Sequence, residues 1–200
     1  MKKPRTKPDV FIIETLNPDD EGNGRFEGSV VSHVLKLHLK NPIYHYVRTR
    51  EDFEKAVLDF KASKYRYLHI SAHGDENGLC TTNDDEISYK DLAKLLTPAL
   101  KNCRLFLSAC SMVHNKMAAE IIPRTGCFSV VGPTEDIGFE HAATIWPAVY
   151  HLLFEFDGQR IRRRELEETL NGVSHLFDVP FGYYSTSNGP RGYKRVKLST

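Results

Sequence analysis

Tyr67-Leu-His-Ile-Ser-Ala-His-Gly74 and Leu105-Phe-Leu-Ser-Ala-Cys110 are the two stretches on which the reading of this chain turns. Each is an apolar run of strand length, and each ends on a reactive side chain, His73 in one and Cys110 in the other. The pattern predicts a third strand over about Arg66–Ala72 and a fourth over Arg104–Ala109. Between them, Ser88-Tyr-Lys-Asp91 has the spacing of a helix cap and is followed by Leu92, Leu95 and Leu96, with Pro98 near the helix end. Strand, helical crossover, strand is the unit from which parallel sheets are built.

The same alternation continues in both directions. Upstream lie a first strand, Asp9–Glu14, and a polar, Gly-rich loop over Asn17–Gly24. A helix over about Gly28–Lys40 follows, with Val30, Val31, Val34 and Leu35 expected to face inward, and then a second strand, Ile43–Val47. Thr49-Arg-Glu-Asp52 has capping-box spacing, and the helix it opens carries Phe53, Ala56, Val57 and Phe60 in an i, i+3, i+4, i+7 stripe. Downstream, a short helix over Asn115–Ile122 is expected to stop at Pro123. A fifth strand, Phe128–Val131, breaks at Gly132-Pro133 and leads to a long helix, Gly138–Phe154, interrupted at Pro147. A charged helix near Ile161–Leu170 and one or two closing strands, near Gly182–Ser185 and Tyr193–Leu198, complete the pattern. This alternation predicts an α/β fold with a mostly parallel sheet. With no repeat and no linker, a single domain is expected over 9–200, after a basic tail over 1–8.

Bulk composition removes several classes of function. The chain has 200 residues, of which 40% are hydrophobic and 26% charged. Lys plus Arg is 27 against 26 Asp plus Glu, a formal charge of +1, which gives no general attraction to nucleic acid or to an anionic membrane. Local basic clusters occur at Lys2, Lys3, Arg5 and Lys7, at Arg160 and Arg162–Arg164, and at Arg191, Lys194, Arg195 and Lys197. Glu165, Glu167 and Glu168 offset the middle one, so solvated faces are expected and no nucleic-acid partner. No apolar run has the ~20 residues of a membrane span, and the start lacks a signal-peptide core. The four cysteines, Cys80, Cys103, Cys110 and Cys127, form no CxxC pair, which fits free thiols in a reducing cytoplasm.

Reactive groups of open parallel sheets gather beyond the carboxyl ends of the strands. His73 and Cys110 hold such positions on strands expected to be neighbours, and adjacent strands lie ~4.8 Å apart. A thiol is only a few per cent ionised at neutral pH; an adjacent imidazole can take its proton and later return it to a leaving amine. The backbone N–H groups of Gly74 and Cys110 are the expected oxyanion donors. A lone histidine at a strand end is usually a satisfied polar residue, and a lone cysteine after an apolar strand is usually core. On physical grounds both readings of the pair stand.

The two quoted motifs resemble the signature strands of caspase-like (clan CD) cysteine peptidases. They are most similar to bacterial CHAT domains, relatives of separases, clostripain and gingipains. Val130-Val-Gly-Pro-Thr-Glu-Asp136, with the helix Phe139–Phe154 behind it, resembles the stretch that follows the nucleophile strand in those domains. The resemblance implies a three-layer sandwich with a central, mostly parallel six-stranded sheet flanked by helices. It further implies His73 as catalytic histidine and Cys110 as nucleophile; no cofactor and no metal site are expected. A protein substrate is implied too, in a bacterial defence (antiviral) or regulated-death setting. The compactness of the chain leads to the further expectation of a separate sensor protein or autocleavage as control. The chain departs from the common form after the cysteine, where Ser111-Met112-Val113-His114 contains no Gly.

Many such relatives prefer a basic residue before the scissile bond and meet it with a carboxylate. Glu135 and Asp136 are the candidates for that substrate-binding role, and capping of the following helix is an equal reading. Asp75, Glu76, Asp84 and Asp85 read as a solvated loop. His69 shares a strand face with His73 and could orient the site, but reads better as a hydrogen-bonded residue of the sheet; His114 reads as a weaker rival base at a helix start. Nine histidines allow metal binding in principle, but no HExxH or paired-cysteine spacing occurs. Two other classes remain: an inactive interaction module on the same fold, and a flavodoxin-like binding domain using Asp19, Asp20, Gly22 and Gly24. The second lacks any phosphate-cradle motif.

Overall fold

The computed structural model describes residues 6–198; the basic residues Lys2, Lys3 and Arg5 lie outside them. In chain order the elements are β1 (Lys7–Thr15), α1 (Pro18–Gly22), α2 (Glu27–Leu37), β2 (Ile43–Tyr46), α3 (Arg50–Ser63), β3 (Tyr65–Gly74), β4 (Gly78–Cys80) and β5 (Glu86–Ser88). They continue with α4 (Tyr89–Leu96), β6 (Arg104–Ser108), α5 (Asn115–Thr125), β7 (Ser129–Pro133), α6 (Phe139–Phe156), α7 (Arg163–Phe177), β8 (Phe181–Thr186) and β9 (Tyr193–Arg195).

The main sheet runs β2-β1-β3-β6-β7-β8-β9, parallel through β7 and antiparallel at β8 and β9. It is wider than the expected six strands because both closing segments pair. The polar excursion after Gly74 also adds a small hairpin, β4–β5, that continues β3 antiparallel. Helices cover both faces, which is why the central strands are apolar on both sides. Phe11, Ile13, Leu68, Ile70, Leu105 and Leu107 pack with α3, α4 and α5. Val10, Ile12, Tyr67, Phe106 and Val131 pack with α2, α6 and α7.

Local chemistry sets the helix ends. The Asp52 N–H donates to Thr49 Oγ1 and the Asp91 N–H to Ser88 Oγ, so both expected caps form. The α3 stripe of Phe53, Ala56, Val57 and Phe60 is buried as its period requires. In α2 the inward face is Gly28, Val31, Ser32 and Leu35, and Val30 is turned to solvent. Pro123 does not stop α5: it sits in the last turn, which Gly126 closes in the left-handed conformation. The Asn17–Gly24 loop contains α1, with Asn17 Oδ1 accepting from the Asp20 N–H and Pro18 in the first turn. The Arg162–Glu168 charges form short-range pairs, Arg163–Glu167 and Arg164–Glu168, on an exposed face. No helix among the described residues is long and apolar enough to cross a membrane.

Candidate functional site

Strand pleating decides which side chains share a face. On β3 the side chains of Leu68, Ile70 and Ala72 enter the α3–α5 layer, so His69, Ser71 and His73 project to the α2–α6 side. On β6 and just beyond it, Leu105, Leu107 and Ala109 enter the first layer, sending Phe106, Ser108 and Cys110 to the second. β3 and β6 pair in parallel from Tyr67–Arg104 to Ser71–Ser108. Both chains then run two residues further, one to His73 and the other to Cys110. The two side chains line a single small cleft of ≈ 70 Å³ together with Glu27, Ser71, Ser108, Ile137, Phe139 and Ala142.

The imidazole is held from behind. His73 Nε2 lies 2.6 Å from Asp20 Oδ2, and the other carboxylate oxygen, Oδ1, accepts from Arg25 Nη1 at 2.6 Å. Asp20 is 7% exposed at its side chain and His73 37%, so the carboxylate is sheltered while the ring still reaches solvent. Phe139 meets the His73 ring edge-on, with centroids 5.5 Å apart, and the Arg25 guanidinium lies over that same phenyl ring. With Nε2 committed to Asp20, the ring's remaining nitrogen is Nδ1.

Cys110 has its sulfur 3.7 Å from the Ile137 carbonyl oxygen. The turn after it lacks glycine, and Ser111 adopts the left-handed conformation itself, at φ 53°. Two contacts hold it there: the Ser111 N–H donates to the Glu135 carbonyl at 3.4 Å, and Ser111 Oγ donates to Asp136 Oδ1 at 2.8 Å. Glu135 and Asp136 are both exposed and neither lines the cleft. Their contacts brace the turn that follows Cys110.

Gly74 is shaped by the hairpin. The Asp75 N–H donates to Gly78 O at 3.0 Å, which makes that pair a hydrogen-bonded rung. By antiparallel alternation the Gly74–Leu79 pair is a non-hydrogen-bonded rung, so the Gly74 N–H points away from β4. The hairpin sits on the β1 side, where the Thr82 N–H donates to Thr15 Oγ1, so the opposite flank is that of β6 and Cys110. A Cβ at Gly74 would run into the Met112 side chain and come within 3.0 Å of Gly78 O.

Beneath the cleft lies a buried polar cluster. Glu14, at the end of β1, accepts from the Gly28 N–H at 2.7 Å and from Tyr44 Oη at 2.7 Å. Burial, the largest influence, holds its carboxyl above the usual carboxylate range, and the Glu27 charge adds to that. Ser71 Oγ donates to Glu27 Oε2 at 2.5 Å and lies 3.4 Å from Glu14 Oε1. Glu27 Oε1 is buried without a hydrogen bond, 3.4 Å from an equally unsatisfied His69 Nε2. His69 is fully buried, its Nδ1 3.1 Å from Tyr150 Oη and its ring edge-on to Trp146, which is the sheet role expected for it.

The other candidates fall away from the cleft. His114 caps α5 through Nδ1, and its Nε2 lies 3.2 Å from Tyr89 Oη. Cys80 stands opposite His73 in the β3–β4 ladder and so rivals Cys110 by proximity. Burial pushes its thiol upward, and the Asp84, Glu86 and Asp85 charges push it further, both of which disfavour the thiolate. Asp75 accepts from the Asn77 and Gly78 N–H groups in a tight exposed turn.

The sequence offered Asp20 only for the flavodoxin-like alternative, not as a partner of His73, and did not offer Glu27 at all. A signal for the first existed: Asn-Pro-Asp-Asp reads as a helix start, and it follows the first strand at the edge that carries His73. Glu27 carried none, since its burial is decided by packing.

No protein-family model matches this chain, and no curated protein matches it. Solved structures do. Iotapain, a secreted cysteine protease from Bacteroides thetaiotaomicron, aligns with a TM-score of 0.64 at 13% identity, over 91% of this chain and 67% of its own. The complex of a secreted cysteine protease from the same organism with an irreversible peptide inhibitor gives 0.64 at 10% identity, over 90% and 66%. The Arg-specific cysteine proteinase gingipain R gives 0.55 at 15% identity, over 84% of this chain and 42% of that one. The chain thus spans about two thirds of the first and less than half of the last. At such identities the likeness is one of fold: this is an α/β chain whose mostly parallel, helix-flanked sheet matches that of caspase-like cysteine proteases.

Proposed function

We propose that the chain is a cysteine endopeptidase acting on a protein substrate, with Cys110 as nucleophile and His73 as general base and acid. The observation that carries this reading is the sharing of one cleft by His73 and Cys110 while Asp20 holds Nε2 of the ring. Asp20 orients the imidazole and favours the tautomer with its proton on Nε2, leaving Nδ1 free to take the thiol proton. The thiolate attacks the scissile carbonyl carbon, and the resulting oxyanion is held by the N–H groups of Gly74 and Cys110. Collapse of the tetrahedral adduct breaks the C–N bond, and the imidazolium gives its proton to the departing amine. Water, deprotonated by the same imidazole, then cleaves the thioester and restores the thiol.

A basic residue before the scissile bond is the preference supported best. Glu27 is the buried carboxylate of the cleft lining, and its Oε1 has no hydrogen bond. An ammonium or guanidinium reaching it would satisfy an oxygen whose burial is otherwise costly. The cleft of ≈ 70 Å³ has to widen to admit so long a side chain. Glu135 and Asp136 then act from the rim, through the turn that carries Cys110.

The test is turnover of fluorogenic peptides bearing Arg, Lys or Asp before the reporter, by wild type, Cys110→Ala and His73→Ala. Cleavage after Arg or Lys that both substitutions abolish is the expected result. Equal turnover by wild type and Cys110→Ala would falsify the reading, and absence of turnover on peptide and protein substrates alike favours an interaction module.

A further inference from the structure

We propose that His38, His151 and Glu155 form a binding site for a divalent transition-metal ion, Zn²⁺ by preference, clamping α2 to α6 at the end remote from the cleft. His38 caps the C-terminus of α2. His151 and Glu155 are four residues apart on α6, so they project from one face of that helix, the one meeting His38. His38 Nε2 and His151 Nδ1 face each other at 2.9 Å, and His38 Nδ1 lies 3.8 Å from Glu155 Oε1. One ligand atom from each of the three residues can be chosen so that all lie within 4.8 Å of one another.

The chemistry of the pair points to a cation. Two imidazole nitrogens in contact need one shared proton between them; a metal ion can replace that proton and bind both lone pairs. At Zn–N distances of about 2.0–2.1 Å, tetrahedral ligation sets two nitrogens roughly 3.3 Å apart, so the rings need to part by only a few tenths of an ångström. Two imidazoles and one carboxylate form a donor set that Zn²⁺ takes readily with water in the fourth position. Nitrogen ligands disfavour Ca²⁺ and Mg²⁺.

The backbone adds a second, independent reason. α2 and α6 both begin at the cleft, with Glu27 and Phe139, and both reach the cluster near their C-termini. At 1.5 Å per residue, the cluster is roughly 16–18 Å along the two helices from the cleft. α2 ends at His38 itself, and Glu155 lies in the last turn of α6, so the negative helix ends near the cluster favour a cation there. The ion would tie together the two helices that supply Glu27, Phe139 and Ala142 to the cleft wall. Neither strand motif nor cleft residue takes part, so the proposal stands apart from the peptidase reading.

The test uses the tag-free full chain, stripped with a chelator and titrated with Zn²⁺ by calorimetry and with Co²⁺ by absorption. We expect one ion per chain in wild type and in Cys110→Ala, with cobalt d–d bands but no thiolate charge-transfer band. His38→Ala and His151→Ala should each weaken binding by about 100-fold or more and lose the Zn²⁺-dependent rise in melting temperature. His141→Ala, on an exposed turn of α6, should bind as wild type. No binding by wild type, undiminished binding in both ligand variants, or loss of binding in Cys110→Ala or His141→Ala overturns the proposal.

Discussion

His73 and Cys110 stand on one register: Ser71 of β3 pairs with Ser108 of β6, and each reactive side chain lies two residues beyond its serine on the same sheet face. Two strand spacings or a shift of one residue would separate them. The proposed dyad therefore depends on the β3–β6 pairing and on the pleat, both products of the buried apolar runs on either side.

Asp20 is the first residue on which the proposed mechanism can be pressed. Asp20→Asn retains the shape of the contact to His73 Nε2 but removes the charge that favours the productive tautomer. We expect kcat to fall by about 10²–10⁴-fold with little change in KM. Steady-state kinetics on the best basic peptide measures both, and a loss confined to KM would remove Asp20 from the mechanism.

Glu27 tests substrate preference. Glu27→Gln preserves volume and removes charge at the base of the cleft. The ratio of kcat/KM for Arg over a neutral residue should drop by at least 10-fold, while turnover of the neutral peptide persists. An unchanged ratio would assign the preference elsewhere, and Glu135→Lys and Asp136→Lys would then be the variants to compare.

Gly74→Ala separates stability from catalysis. The added methyl meets the flexible Met112 side chain and the fixed Gly78 carbonyl, so a loss of about 1–3 kcal/mol in unfolding free energy is expected from overpacking. If the Gly74 N–H holds the oxyanion, kcat should fall a further 10-fold or more in the folded fraction. Denaturant unfolding and active-site titration read the two effects apart, and full kcat per folded site would exclude that donor.

Glu14 makes stability depend on pH with a defined sign. Its carboxyl is held above the usual range chiefly by burial, so in the folded chain it keeps its proton where the unfolded chain has lost it. The unfolded state then binds fewer protons, and stability falls as pH rises from the ordinary carboxylate range through the raised value. Glu14→Gln should flatten that segment of the melting-temperature curve. Calorimetry of both proteins across this window tests it; parallel curves would mean that Glu14 ionises normally.

Much of the fold was legible because its signals are local. Thr49 and Ser88 cap helices through side chains three residues from the N–H they accept. The α3 stripe is a periodicity, and the apolar runs ending at His73 and Cys110 are contiguous in sequence. The structure departs from the sequence pattern where a local signal meets a distant partner. The segment after Gly74 reads as a polar loop, yet it forms a hairpin because β3 offers it an open ladder. Val30 belongs to an apolar helix face by composition, yet the packing rotation of α2 leaves it exposed.

By itself, then, the sequence determined the α/β alternation, the helix caps and the two strand ends that carry an imidazole and a thiol, all of which depend on residues within a turn or a strand of one another. The tertiary structure alone decided that Asp20 lies behind His73, that Glu27 is buried beneath the cleft, that Glu135 and Asp136 brace the Ser111 turn, and that His38 meets His151. Those contacts join residues far apart along the chain, and their energies come from charge and burial in a low-dielectric interior. That interior exists only once the sheet and its two helical layers have closed.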